Sequence, residues 1–119
     1  SSIWKALKIV KMDHVVRNLT DGLETKISDG GSMFSQGERQ LFCLARALLR
    51  PALLLVADEA TASVDTDSET MVQDVILGLP VTVLYICHRT SRLNEFDKIL
   101  TLENGQVSSF QNSSRTTAV

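Results

Sequence analysis

Cysteine, proline and aromatic residues are scarce in this 119-residue chain, which has two Cys, two Pro, one Trp, one Tyr and four Phe. The two cysteines, Cys43 and Cys87, lie far apart in apolar runs and form no C-x-x-C pair. That excludes a disulfide-stapled secreted domain and predicts two buried, reduced thiols. With His14 and His88 they show no metal-ligand spacing of two close pairs, so no zinc site is expected, and His14 reads as a surface residue. Cys87 beside His88 does not make a nucleophile and base, because neighbours on a strand point to opposite faces. Charge of one sign is lacking too: 12 Lys+Arg stand against 14 Asp+Glu, a net charge of −2. With only 5% aromatics, the chain has neither the basic footprint nor the stacking side chains that nucleic acid requires. Long apolar runs are missing as well. The longest uncharged stretch, residues 75–87, is too short to span a bilayer as a helix and is broken by Gly78 and Pro80. The opening Ser1-Ser2-Ile3-Trp4-Lys5 carries no secretory pattern, so a membrane link is expected only through a partner, on the cytoplasmic face.

What is present is an ordinary globular balance, 44% hydrophobic and 22% charged, enough for one domain at most. Ile3, Ala6, Leu7 and Val10 recur three and four apart, which predicts a short amphipathic helix with Lys5, Lys8 and Lys11 outside. Residues 19–34 hold Asp21-Gly22 and Asp29-Gly30-Gly31 and read as a loop. Ser35-Gln36-Gly37-Glu38 matches a capping box, with Ser at the N-cap and Glu three residues on. It opens a helix carrying Leu41, Phe42, Leu44, Ala45, Leu48 and Leu49 that should stop near Arg50-Pro51. The apolar run 52–57, closed by Asp58-Glu59, predicts a buried parallel strand. Thr66-Asp67-Ser68-Glu69 reads as a second capping box, opening a helix with Met71, Val72, Val75 and Ile76. Residues 81–87 are β-branched and apolar, a second central strand, and 99–102 with 107–110 form a hairpin across Glu103-Asn104-Gly105. Strands alternating with helices imply parallel pairing through right-handed crossovers, hence an α/β layered core. The polar residues after Gln111 read as a mobile tail.

Four features follow one another: a helix opened by Ser35-Gln36-Gly37, carboxylates Asp58-Glu59 closing a strand, Ser63-Val64-Asp65, and His88 closing the next strand. In open α/β sheets ligands sit at the carboxyl ends of strands, and this order suits phosphoryl chemistry on a metal-bound nucleotide. A serine-hydrolase elbow fails, because Met33 stands where G-x-S-x-G needs its first glycine. The runs Phe34-Ser35-Gln36-Gly37-Glu38-Arg39-Gln40, Leu53-Leu54-Leu55-Val56-Ala57-Asp58-Glu59-Ala60-Thr61, Ser63-Val64-Asp65 and His88-Arg89 resemble the signature motif, Walker B strand, D-loop and switch histidine of an ABC transporter cassette. Leu41-Phe42-Cys43-Leu44-Ala45-Arg46-Ala47-Leu48-Leu49-Arg50 is most similar to the C subfamily, the multidrug-resistance-protein type. The likeness covers residues 3–111.

The resemblance implies a partial P-loop NTPase cassette that binds ATP with Mg²⁺. Residues 1–34 would be part of its helical subdomain and a loop, 35–111 the signature helix and C-terminal half of the ATP-binding core, and 112–119 a flexible tail. Asp58 would hold Mg²⁺ through its water shell, and Glu59 would polarise the attacking water. His88 would sense the γ-phosphate. Ser35, Gln36, Gly37 and Glu38 would meet the γ-phosphate of nucleotide held by a second nucleotide-binding domain, at a helix start suited to anions. Asp65 would link the two sites across that interface. The complete form would act with transmembrane domains to power export.

No G-x-x-x-x-G-K-[ST] occurs in the chain, and no Gly is followed by Lys, so the sequence looks like the C-terminal half of a cassette. The 119 residues alone are expected not to hydrolyse ATP. Glu38 stands where the family commonly has Gln, and the link from Ile76 to Val81 is shorter than usual. A different class of function therefore stands beside the enzyme: a truncated, non-catalytic cassette that docks on an intact one, or a remnant without function. Thr117-Ala118-Val119 fits the Thr-x-apolar carboxyl terminus that PDZ domains capture.

Overall fold

A computed structural model of the chain describes residues 1–58, 65–87 and 89–113. Glu59, Ser63, Val64, His88 and Thr117-Ala118-Val119 lie outside the described residues. The chain divides into two compact units, residues 1–87 and 88–119.

The first unit begins with α1 (Ser2–Ile9), whose buried face starts at Ala6 and Leu7, with Val10 buried just past its end. Ile3, expected on that face, is 45% exposed. Lys11 ends the helix by turning left-handed, at φ 60. Its N–H donates to the Lys8 carbonyl and that of Met12 to the Leu7 carbonyl, the paired bonds of a Schellman closure, with Met12 and Leu7 both buried. A helix of five residues, α2 (Asp13–Arg17), follows; it is too short to show a periodicity, and the sequence reading passed over it. The Arg17 guanidinium lies 4.4 Å from the centre of the Trp4 ring and ties α2 back to α1. Residues 19–34 run as the expected loop with short 3₁₀ turns at Gly22–Glu24 and Asp29–Gly31.

The longest helix, α3 (Gln36–Leu48), buries Gly37, Leu41 and Ala45, a stripe four residues apart that packs on α1 and on α4 (Thr66–Leu77). Cys43 lies off that stripe and is exposed, and Cys87 is half-buried; the expectation of two buried thiols fails because an apolar run on a helix still has an outer face. Burial pushes the Cys87 thiol up, and the Glu69 carboxylate adds to the shift, both disfavouring the thiolate. Helix α4 buries Val72, Val75 and Ile76, while Met71 is half-buried. Its cap is Asp65 rather than Thr66: the Asp65 carboxylate accepts the Ser68 N–H at 3.3 Å, since Asp is as good a cap as Thr and stands one residue nearer the loop.

Strands β1 (Leu54–Asp58) and β2 (Thr82–Ile86) pair in parallel, Leu54 beside Thr82 and Asp58 beside Ile86. Their pairing confirms the α/β reading, but their burial corrects it. Leu54 and Val56 on β1, with Leu84 and Ile86 on β2, are exposed, because the sheet has two strands among the described residues and one of its faces stays open.

In the second unit, β3 (Lys98–Glu103) and β4 (Gln106–Asn112) form the expected hairpin. Asn104 at φ 50 and Gly105 at φ 75 make the two-residue turn whose handedness matches strand twist. β4 runs through Asn112, one residue into the segment read as a tail, and the Ser113 N–H donates to the Asp97 carbonyl at 3.1 Å.

Candidate functional site

The start of α3 is the best-defined part of the site. Ser35 leaves the loop in an extended conformation, φ −64 and ψ 163, so its side chain can turn back over the helix. Its Oγ accepts the Glu38 N–H at 3.1 Å, and Glu38 Oε1 accepts the Ser35 N–H at 2.9 Å, a complete capping box. The box uses the N–H groups of Ser35 and Glu38 and does not use those of Gln36 and Gly37. The preceding turn is clamped to the same helix, where Arg39 Nη1 donates to the Gly30 carbonyl at 3.0 Å. Gly31, at φ 66, takes a conformation that L side chains rarely adopt and lies close under the Arg39 stem. Sequence reading missed Arg39 because a side chain reaching nine residues back leaves no local pattern.

The start of α4 stands against it. Gly37 is buried, and a Cβ placed there would fall 2.7 Å from the Ser68 Cβ. Asp65, another of the expected site residues, caps α4 while remaining exposed. The Ser68 hydroxyl, then the Ser68 N–H, hold its carboxyl below the usual carboxylate range. An Asp followed three residues later by Ser was the signal for this cap, and the competing Thr66 to Glu69 pattern masked it.

Asp58 ends β1 beside the last residue of β2, so the carboxyl ends of both parallel strands lie at one edge of the sheet. It is exposed, and a carboxylate there is a hard oxygen donor of the kind that magnesium takes together with several waters. Glu59 and His88, which follow these strands, are outside the described residues. The structure thus brings Ser35, Gln36, Gly37 and Glu38 together at one helix start, packs the first turn of α4 with Asp65 against them, and sets Asp58 at a strand end.

A helix capped at Ser35, a parallel strand ending in Asp58 and, after it, a helix capped by Asp65 are features that an α/β nucleotide-binding fold of the P-loop class can carry. A model of the ABC transporter family matches residues 3–62. A probable multidrug resistance-associated protein of Drosophila melanogaster is 46% identical over 110 residues, covering 91% of this chain and 8% of the fly protein. A metal resistance protein of Saccharomyces cerevisiae is 42% identical over 112 residues, 92% of this chain and 7% of its own length. ATP-binding cassette sub-family C member 8 of Homo sapiens is 41% identical over 112 residues, again 92% and 7%. The chain belongs to the ABC transporter family, and its relatives are of the sub-family C, multidrug-resistance-associated type. It spans 7–8% of the length of these relatives.

Proposed function

We propose that this chain supplies the signature helix and the hydrolytic strand ends of a cassette that, in its complete form, hydrolyses ATP to power export across a membrane. The observation that carries the reading is the capped start of α3, where Ser35, Gln36 and Gly37 present a helix N-terminus, in a chain whose β1 ends in Asp58. A helix start offers unbonded N–H groups and the positive end of the dipole to a phosphate. Ser35, Gln36 and Gly37 bind the γ-phosphate of nucleotide held by a second cassette, and Glu38 keeps the Ser35 hydroxyl oriented. Asp58 would hold Mg²⁺, which when bound would offset phosphate charge. Glu59 takes up the proton of the attacking water or orients it, and His88 contacts the γ-phosphate. Asp65 links one site to the other.

The partners of this reading are a second nucleotide-binding domain and transmembrane domains, with the cassette on the cytoplasmic face. None of the described helices is long and apolar enough to cross a membrane. The test is steady-state ATP turnover by the longest natural protein that carries these residues, against the same protein with Glu59→Gln. Turnover should fall by about 10²-fold or more, as expected for loss of a general base. If neither form turns over ATP, the enzyme reading falls and the non-catalytic docking cassette takes its place.

A further inference from the structure

We infer that Ser68 is a positioning residue: from the first turn of α4 it fixes the first turn of α3, and so sets where Ser35 and Gly37 stand toward a phosphate. The inference deepens the nucleotide reading proposed above and rests on it. Gly37 is the second residue of α3 and Ser68 the third of α4, so the two helices meet at their first turns. A Cβ at Gly37 would stand 2.7 Å from Ser68 Cβ, 2.9 Å from Ser68 Oγ and 3.1 Å from Met71 Cε. Met71 can swing its chain end aside and Ser68 can rotate its hydroxyl, but the Ser68 Cβ is carried by the helix backbone and cannot yield. Gly37 needs no left-handed backbone; what it needs is room for Ser68.

The same serine serves the other motif. Its N–H donates to Asp65 Oδ2 at 3.3 Å. One residue therefore touches the cap that begins α4 on one side and the glycine that begins α3 on the other. Close-packed contacts of this kind transmit displacement instead of absorbing it. A shift of Asp65 would carry the start of α3 with it, within a single chain.

The experiment is a double-mutant cycle with Gly37→Ala and Ser68→Gly in the longest natural protein that carries these residues, reading thermal midpoint and the kcat and KM for ATP. Gly37→Ala should lower the midpoint by several degrees and raise KM or lower kcat by about tenfold, the order expected when a binding group is displaced by a fraction of an ångström. Adding Ser68→Gly should return most of both losses, because it removes the Cβ that collides. A double variant with stability restored and turnover still lost would assign Gly37 to ligand approach alone and overturn the positioning role. Additive losses in both readouts would overturn the contact itself. A wild-type protein without ATP turnover would defeat the nucleotide reading separately, and the thermal cycle would still decide whether the two first turns are coupled.

Discussion

At the scale of single residues, Glu38 has two opposing effects. Its carboxylate completes the capping box with Ser35, yet it sets a negative charge beside the helix start where a phosphate is proposed to bind. Gln can accept the same N–H without the charge. Glu38→Gln should therefore keep the helix and lower the KM for ATP by about two- to fivefold, the scale of one charge at a helix terminus. An unchanged or higher KM would show that the Glu38 charge is not felt by the nucleotide. Asp65 supplies a second residue-level prediction. Its folded-state pKa is depressed by Ser68, so the capping contribution is fully present above the ordinary carboxylate value, about 3.9, and is lost as pH falls through the folded value. Asn caps a helix nearly as well but does not titrate. The thermal midpoint of Asp65→Asn should fall below wild type near neutral pH and converge on it as pH drops below about 4. A gap that stays constant across that range would remove Asp65 from the acid response.

At the scale of elements, the termini of α1 and α3 show opposite degrees of local optimisation. α3 begins on a full capping box, while α1 ends on a lysine held left-handed, a conformation that costs an L side chain about 1–2 kcal/mol and glycine almost nothing. Lys11→Gly should stabilise the chain by about 0.5–1 kcal/mol, the difference left after the greater unfolded-state entropy of glycine. Denaturant unfolding with an unchanged slope would measure it, and a loss of stability would mean that the Lys11 stem packs in a way its exposure does not suggest. These two termini also show what the sequence could reveal. Ser35 to Glu38 was legible because the cap is written in four adjacent residues, and the Asn104-Gly105 turn because only certain residues tolerate its two positive φ angles. The left-handed stop at Lys11 was not legible, since Gly is its usual signal and the helix closes through Leu7 and Met12 instead. The contact of Gly37 with Ser68 was hidden for another reason: 31 positions separate the two residues, and only packing of α3 on α4 joins them. Ser35, Gln36, Gly37, Glu38, Asp58 and Asp65 were all picked out by motif, but their spatial arrangement came from helix packing and strand register.

At the scale of the whole molecule, the parallel pair β1 and β2 is the feature least in keeping with a self-contained domain. Parallel strands are usually covered on both faces, and β1 is apolar from Leu54 to Ala57 as that requires. Here Leu54 is 52% exposed, Val56 54%, Leu84 47% and Ile86 41%, with Val56 directly beside Leu84 in the register. A contiguous apolar patch on a sheet that has only two strands among the described residues is a template for association between chains. The 119 residues prepared alone should therefore self-associate at micromolar concentration. Replacing the registered neighbours with opposite charges, Val56→Lys with Leu84→Glu, breaks the patch while offering a cross-strand ion pair on a face that is already wet. Sedimentation of that double variant should show a shift toward monomer, with the thermal midpoint changed by no more than a few degrees, because little apolar area leaves a packed core. Association as strong as in the parent chain would place the sticky surface elsewhere. A collapse of the midpoint would show instead that the chain buries this face against itself.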